Sequence, residues 1–269
     1  MLKDKKIAVI GMGKMGEILI SSILDKKLVS RENMAGGDKS KQQRKWIEKK
    51  YQMNTYSSNL AAVSHKDVII LAIEPKVFTL VIEEIKDILS PEQLIISVVA
   101  GVTTQMIEEE IGKDIGVIRA IPTPNAKVKE SITVICKGEF VREEDMRIAK
   151  IIFNSFGLVE ILGNENLMDA VSGLSVIPAY TFTIIEALTD GGVLVGLPRD
   201  LSRKIVTQNI LGACRMLFQE EKHPAAVRDI STTPGGLTIE GLRMIEKGNI
   251  RSTLIESIIK VEKKCKHLT

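Results

Sequence analysis

Three glycines near the amino terminus constrain the fold of this chain more than any other feature of its sequence. Gly11, Gly13 and Gly16 stand where the apolar segment 6–10, KIAVI, gives way to apolar residues at helical spacing over 14–26. Glycine weakens strands and helices alike, so its placement at this junction needs a reason. The spacing G-x-G-x-x-G between a strand and a helix predicts a tight turn, a close approach to the backbone and a closely packed helix.

This turn predicts a site for the pyrophosphate of a dinucleotide. The helix that follows presents free N–H groups and a partial positive charge to the phosphates. The residues of the turn that are expected to contact the cofactor are Gly11, Met12, Gly13, Lys14, Met15 and Gly16. Taken alone, the G-x-G-x-x-G spacing would also fit a structural glycine turn, a flavin site or another nucleotide site.

The end of the second predicted strand bears on which nicotinamide cofactor is used. An acid there accepts hydrogen bonds from the adenosine ribose and favours NADH, whereas a neighbouring base can hold the 2′-phosphate and favours NADPH. Asp38 and Lys39 place one of each at this point, although Lys39 would fit equally well as an ordinary solvated charge. The sequence therefore leaves both NADPH and NADH open as cofactors.

Strand and helix patterns alternate through the first part of the chain. Runs rich in β-branched residues predict strands at 6–10, 33–37, 67–73, 94–99, 115–121, 132–137 and 158–162. Helical spacing predicts helices at 14–26, 40–50, 77–89 and 142–156. The third and fourth strands are apolar throughout, as in strands that are buried on both faces of a parallel sheet. The alternation predicts an α/β fold, with a doubly wound (Rossmann) dinucleotide-binding domain over residues 1–163.

Beyond residue 163 the strand pattern stops, which predicts an all-α domain over 164–269. Its predicted helices cover 165–173, 177–195, 198–220, 238–247 and 250–266. Segment 177–197 is apolar around most of its circumference, so other helices must surround it. Because a helical piece of roughly 100 residues offers little interior, we expect this segment to lie in the interface of a homodimer or a higher oligomer. Packing wholly within its own chain is the alternative.

The composition argues against several other classes of function. The 37 basic and 34 acidic residues of this 269-residue chain leave a net charge of +3 without a dense basic run, so nucleic acid is not an expected partner. Cys136, Cys214 and Cys265 have a spacing that fits neither a zinc site nor a disulfide framework. No apolar run is expected to approach the roughly 20 residues that span a bilayer, and the opening MLKDKKIAVI lacks an export signal. We therefore expect a cytoplasmic protein that binds neither metal nor membrane.

Several segments of the second half carry a resemblance to a known family. TTPGGLTIEGLRMIEKGNIRSTLIESI at 232–258 follows PAYTFTIIEALTDGGV at 178–193, GLPRDL at 196–201 and KHPAAVRD at 222–229. Together these segments closely resemble pyrroline-5-carboxylate reductase, the last enzyme of proline biosynthesis, and the likeness extends over essentially the whole chain. The resemblance implies NAD(P)H-dependent reduction of the C=N bond of 1-pyrroline-5-carboxylate to yield L-proline. It also implies an amino-terminal dinucleotide domain and a helical domain that interlocks into a dimer, often within larger rings.

The loop in TTPGGLTIEG is the expected substrate site. Its two glycines let successive N–H groups point at one spot, and the helix that follows offers its amino terminus to a carboxylate. In the family this loop holds the substrate carboxylate, and the matching threonine contacts the imine nitrogen. Thr238 is therefore the expected catalytic residue, and a simple helix-capping role is the alternative. By resemblance the substrate-binding residues are Glu221, Thr233, Gly235, Gly236, Leu237 and Thr238.

The resemblance also adds cofactor-binding residues beyond the glycine turn. They are Asn59, Ala72, Pro75, Ala100 and Gly101, and the resemblance implies that the loop with Ala100 and Gly101 lies beside the nicotinamide. Among the polar residues near the substrate loop, Glu221 would fit equally well as a solvated acid at a helix end. His223, which precedes Pro224, is interpreted as a helix-boundary residue.

Three segments depart from the usual pattern of the family. Glu74 stands where lysine is usual, residues 121–125 read IPTPN in place of Met-Pro-Asn-Thr-Pro, and LSVIPAY lacks one residue and carries Val176 and Ile177 in place of small ones. These segments are expected to border the active site. A reductase of a related cyclic imine carboxylate and a catalytically silent NAD(P)-binding paralogue therefore remain alternatives. A β-hydroxyacid dehydrogenase is disfavoured, because that class uses a lysine on a long helix and 177–195 contains none.

Overall fold

The structure of the chain, a computed structural model, describes residues 2–268. The strands are β1 (Ile7–Ile10), β2 (Met34–Gly37), β3 (Asn54–Tyr56), β4 (Val68–Leu71), β5 (Leu94–Ser97), β6 (Gly116–Pro122), β7 (Ser131–Lys137) and β8 (Gly157–Ile161). The helices of the first half are α1 (Lys14–Asp25), α2 (Lys41–Tyr51), α3 (Asn59–Val63), α4 (Phe78–Ile85), α5 (Thr104–Ile111) and α6 (Glu143–Phe153). Those of the second half are α7 (Met168–Ser175), α8 (Ile177–Leu194), α9 (Arg199–Glu220), α10 (Pro224–Ile230), α11 (Leu237–Lys247) and α12 (Ile250–Cys265).

The eight strands form one sheet in the order β3-β2-β1-β4-β5-β6-β7-β8. Neighbouring strands are parallel except for the β6–β7 pair, which is antiparallel. The chain starts in the middle of the sheet, builds outward to β3 and then crosses back to β4. This topology confirms the predicted doubly wound α/β domain, and it places the carboxyl ends of β1, β2, β4 and β5 along one edge.

The apolar character of the central strands follows from their burial on both faces. All four residues of β4 and of β5 are buried, as the sequence predicts. Alternate residues of β1 point to opposite faces. Ile7 and Val9 join an apolar cluster with residues of α1 and α6, whereas Ala8 and Ile10 join a second cluster with residues of α4 and α5. The two clusters hold helices against both faces of the sheet.

Four elements are missing from the sequence prediction, namely β3, α3, α5 and α10. Strand β3 has three residues and α3 has five, which is too short for a periodic pattern to show. Helix α5 does have readable boundaries, since Thr103 caps its first turn and Gly112 ends it in the left-handed conformation. Terminal signals of this kind could have revealed it even where the apolar pattern did not.

The chain divides into two compact units. The first comprises residues 2–175 with 260–268, and the second comprises residues 176–259, which contain α8 to α11 and most of α12. Within the second unit α8 buries only one residue, Thr189. Phe182 and Leu194 of α8 are 67% and 88% exposed. The alternative that this helix packs wholly within its own chain is therefore wrong, because its own unit leaves most of its apolar surface uncovered.

One expectation about apolar segments is wrong. The continuous helical stretch Glu165–Leu194 is 30 residues long and is apolar enough to cross a membrane by length and composition alone. The prediction that no apolar run approaches roughly 20 residues fails, because an 18-residue window of this stretch is apolar enough to qualify. Only 6% of its most apolar window is buried inside the chain.

Candidate cofactor and substrate sites

The glycine turn after β1 has the close contacts that its spacing predicts. Gly11 has a φ of +86°, and a Cβ at this position would lie 2.5 Å from the carbonyl oxygen of Ala72. A Cβ at Gly16 would lie 2.0 Å from the carbonyl oxygen of Gly11, whereas the nearest strand atom, in Val9, would be 3.4 Å away. The third glycine therefore lets α1 pack chiefly against the turn itself rather than against the strand.

Gly13 differs from these two glycines because the space beside it is open. It is the N-cap of α1 without a side-chain hydrogen bond to the first turn, and no described heavy atom lies within 4 Å of a Cβ built on it. The first-turn N–H groups of α1 are thus reachable from outside. An uncapped helix amino terminus beside an open glycine fits the pyrophosphate of a dinucleotide.

The loop between β2 and α2 is tied to the glycine turn through Asp38. One carboxylate oxygen of Asp38 accepts the Met12 N–H at 2.9 Å, and the other accepts the Ser40 N–H at 2.8 Å. The Arg44 guanidinium donates to the carbonyl oxygens of Asp38 and Lys39 at 2.6 and 3.0 Å. The Lys39 side chain itself is exposed. Both oxygens of the acid at the end of β2 are therefore already engaged by backbone N–H groups.

The remaining predicted cofactor residues lie after the other parallel strands. Ala72 follows β4 and donates its N–H to the Ile10 carbonyl oxygen at 2.8 Å, and Pro75 opens a short 3-10 turn. Ala100 is exposed and Gly101 has a φ of +75°, both just beyond β5. Asn59 is buried at the start of α3, where its amide donates to Glu84. The register of the strands brings these residues to the same edge of the sheet as the glycine turn.

Glu74, one of the departures from the family pattern, has a local counter-charge. Its carboxylate lies 2.5 Å from the ammonium group of Lys76, and both side chains are largely exposed. The hydrogen bond to Glu74 raises the pKa of Lys76. The local charge after β4 is therefore balanced two residues away from the place where the family usually has a cation.

The predicted substrate loop leads directly into α11. The Gly236 N–H donates to the Thr233 carbonyl oxygen at 3.0 Å, and Gly235 has a φ of +69°. Leu237, the first residue of α11, is 95% exposed. Thr238 is the second residue of the helix and is also exposed.

This arrangement bears on the two roles considered for Thr238. Gly236 is the N-cap of α11, and in the described part of the chain no side chain forms a cap hydrogen bond there. Thr238 is the second residue of the helix and not its N-cap, so this arrangement gives no support to a simple capping role. The amino terminus of an eleven-residue helix is left open to an anion, with an exposed hydroxyl beside it.

Two further polar residues of this unit occupy helix ends. Glu221 ends α9 in the left-handed conformation with a φ of +49°, and its side chain is exposed. Among residues 2–268, no hydrogen bond joins Glu221 to the substrate loop. His223 is the N-cap of α10, and its Nδ1 accepts the Ala225 N–H at 3.2 Å. This contact confirms that His223 is a helix-boundary residue.

The sequence reasoning missed two groups of polar residues in the first unit. Ser40, Gln43 and Arg44 hold the loop after β2, and the S-K-Q-Q sequence carries the signature of an N-cap that could have identified the first of them. The second group is centred on Arg119, which is 1% exposed within β6. A single arginine inside the apolar strand IGVIRAI is the signal that could have found it.

Comparisons with known proteins match both halves of the chain. A family model described as pyrroline-5-carboxylate reductase dimerisation matches residues 165–268, and one described as NADP oxidoreductase, coenzyme F420-dependent, matches residues 6–101. The chain is 36% identical over 255 residues to the pyrroline-5-carboxylate reductase of Synechocystis sp., covering 94% of each protein. It is 34% identical over 265 residues to that of Arabidopsis thaliana, covering 98% of this chain and 95% of the relative.

A solved structure extends this similarity to three dimensions. The Plasmodium falciparum pyrroline carboxylate reductase, solved with NADP bound, matches with a TM-score of 0.91 and 29% identity, covering 100% of this chain and 99% of that one. The sheet, the glycine turn and the helical second half thus occur together in proteins of one kind. This chain belongs to the pyrroline-5-carboxylate reductase family.

Proposed function

We propose that this protein reduces 1-pyrroline-5-carboxylate to L-proline, with NADPH or NADH as the hydride donor. The observation that carries the proposal is the start of α11. There an uncapped helix amino terminus, a Pro-Gly-Gly loop and the exposed Thr238 hydroxyl stand together. These are the groups that a small ring bearing a carboxylate and an imine nitrogen requires.

The roles of the residues follow from this chemistry. The Gly236 N–H closes the loop on Thr233, while the N–H groups of Gly235 and of the first turn of α11 hold the substrate carboxylate, which the helix dipole stabilises. The Thr238 hydroxyl forms a hydrogen bond with the ring nitrogen and steadies it as it becomes an amine. The bound nicotinamide supplies the hydride to the imine carbon. Orientation of the C=N bond is the main contribution of the chain, and such alignment can supply on the order of 7 to 11 kcal/mol of barrier lowering at best.

The experiment that tests this role compares Thr238→Ala with Thr238→Ser. Loss of a hydrogen bond that strengthens in the transition state is expected to lower kcat by about 100-fold in the alanine variant. The serine variant keeps the hydroxyl and should retain most of the turnover. The dissociation constant of NADPH, measured by fluorescence without imine, should be unchanged in both. Equal kcat values for the alanine variant and the original protein would refute the role of the hydroxyl.

We further propose that the protein prefers NADPH to NADH. Both oxygens of Asp38 accept backbone N–H groups, which leaves fewer of its acceptor sites for the ribose hydroxyls. Lys39 is exposed next to it, and Ser40 caps the start of α2. A cation beside a helix amino terminus suits the 2′-phosphate. Lys39→Ala should lower kcat/KM for NADPH about tenfold and leave that for NADH unchanged, since the effect corresponds to one charged hydrogen bond.

Lys45 provides the matched control for this measurement, because it is also exposed and lies on α2, which begins two residues after Lys39. Lys45→Ala should change neither value of kcat/KM. A tenfold or greater preference of the original protein for NADH would contradict the proposal.

A related cyclic imine carboxylate is the second candidate substrate. Val176 and Ile177 stand at the junction of α7 and α8, where the family usually has small residues, and larger side chains there would reshape the pocket. Turnover of five- and six-membered ring substrates by the same preparation separates the two possibilities. A protein that binds NADPH yet oxidises it with neither ring would instead be a catalytically silent paralogue.

The protein self-associates through its helical half, and we propose that the assembly is a homodimer or a multiple of it. The exposed apolar surface of α8 supports the proposal that a second copy, rather than lipid, covers the stretch 165–194. We also propose that the boundary between the two functional domains lies at residues 163 and 164, and that the enzyme works in the cytoplasm. Light scattering on detergent-free protein tests the assembly.

A further inference from the structure

A buried group of charges lies within the first unit, separate from the residues assigned to cofactor and substrate. Arg119 of β6 is 1% exposed, and its guanidinium donates to the Asp169 carboxylate at 2.6 Å. The same guanidinium lies 3.7 Å from the carboxylate of Glu165. Two partly exposed acids thus share one arginine that is itself buried, where an unpaired charge would be very costly.

Glu165 connects this charge to the start of α5. One of its carboxylate oxygens accepts the Thr104 N–H at 2.7 Å, and the other accepts the Thr104 hydroxyl. Thr104 is the first residue of α5. Glu165 therefore supplies a negative charge to a helix amino terminus from 61 residues away in sequence.

The segment that Thr104 ends is the loop assigned to the nicotinamide. Ala100 and Gly101 precede Thr104 by four and three residues and lie just beyond β5. At its other end the loop is attached to the sheet, where the Val98 N–H donates to the Leu71 carbonyl oxygen at 2.9 Å. Glu165 is consequently the side chain that holds the α5 end of this loop, and Arg119 holds Glu165.

Stability alone is a poor explanation for this cluster. Buried ion pairs are often replaceable by apolar residues of similar volume without loss of stability. Moreover, the Nε of Arg119 is buried without a hydrogen-bond partner among the described residues, which is a further cost. What the charges do provide is a link between separate elements, because Glu165 lies beside Arg119 while both of its oxygens accept from Thr104.

We propose that Glu165 and Arg119 are positioning residues for hydride transfer, which fix the Ala100–Gly101 loop through Thr104. The inference rests on the proposed function, in which this loop lies beside the nicotinamide. Neither side chain needs to touch a ligand. Their contribution is to keep a cofactor-facing loop in one place while the reaction takes place.

The test compares two substitutions of Glu165 with a matched control. Glu165→Ala removes the contact with Thr104, whereas Glu165→Gln keeps an oxygen that can accept its N–H. Glu160→Ala is the control, because Glu160 is an exposed acid on the edge strand β8. Circular dichroism melting shows whether each variant folds. If the alanine variant does not fold, the glutamine variant provides the remaining comparison with the original protein.

Hydrogen–deuterium exchange gives a readout that does not depend on activity. In protein without cofactor, amides over residues 98–107 should exchange faster in Glu165→Ala than in the original protein. The rates in Glu165→Gln should be close to the original, and those in Glu160→Ala should be identical to it. Unchanged exchange over 98–107 in the alanine variant would overturn the inference.

Kinetics then measure the consequence for the reaction. Because a misplacement of about 1 Å can cost 100-fold in rate, kcat of Glu165→Ala should fall roughly 10- to 100-fold. KM for the imine and the dissociation constant of NADPH should stay within about threefold, and the isotope effect with 4-deuterated NADPH should increase. Equal losses in kcat and in NADPH affinity would overturn the positioning role. If the original protein oxidises no NADPH with the imine, the proposed function fails, and the exchange experiment still decides this inference.

Discussion

The contact between Gly16 and the glycine turn makes a quantitative prediction about this site. In Gly16→Ala, the new Cβ would start 2.0 Å from the carbonyl oxygen of Gly11, whereas ordinary contacts begin near 3.4 Å. Either α1 or the turn must therefore move by roughly 1 Å in a densely packed region. Overpacking of this kind typically costs about 1–3 kcal/mol. For a unit of this size, the melting temperature should fall by roughly 2–12 °C.

Gly13→Ala separates the two functions of the turn. A Cβ at Gly13 meets no described atom within 4 Å, so the free energy of unfolding should change by no more than about 1 kcal/mol. The same Cβ occupies the open space that the pyrophosphate needs, and NADPH should bind at least about tenfold more weakly. Differential scanning calorimetry and NADPH fluorescence titration on both variants provide the measurements. A Gly16→Ala protein that melts at the original temperature and binds NADPH equally well would refute the close-approach argument.

Three further predictions concern other parts of the chain. Burial raises the pKa of the Glu108 carboxyl above the 4.5 of a free glutamate, so its ionisation disfavours the fold and this penalty develops as the pH rises through the raised pKa. The free energy of unfolding of Glu108→Gln minus that of the original protein should therefore increase from acid to neutral pH in urea titrations. A constant difference would contradict this. Phe182→Glu places a charge on the 67% exposed apolar face of α8 and should shift the oligomer towards monomer in light scattering; an unchanged mass would place the interface elsewhere. His223→Ala removes the N-cap of α10 and should cost about 1 kcal/mol in thermal unfolding, while a selective loss of kcat would show that His223 has a chemical role.

Local patterns were sufficient for the class of fold and for most of the elements. The predicted strand 94–99 and helix 14–26 differ from β5 and α1 by one or two residues at their ends. Both elements have long apolar patterns that match their burial. The doubly wound class was accessible for the same reason, since alternation of strand and helix leaves few parallel topologies, whereas β3 and the antiparallel β6–β7 pair were not predicted.

The chemistry of the ligands was likewise accessible from short segments. The glycine turn and the loop TTPGGLTIEG each hold, within a few consecutive residues, the groups proposed for a phosphate or a carboxylate site. The N–H groups of such a loop come from the backbone, and therefore the sequence of the loop alone indicates the anion. In the structure Gly236 and not Thr238 occupies the N-cap position of α11, which the sequence left undecided.

What depended on tertiary structure is the set of contacts between residues that are far apart in sequence. Asp38 was expected to face the ribose, yet its oxygens accept N–H groups from Met12 and Ser40. The path from Arg119 through Glu165 to Thr104 joins three elements that no local pattern connects. A hydrogen bond between such residues requires only that folding bring them together, and their separation along the chain carries no periodic signal. Composition and spacing could therefore indicate which groups were available for these contacts, while the folded chain decided which partners they met.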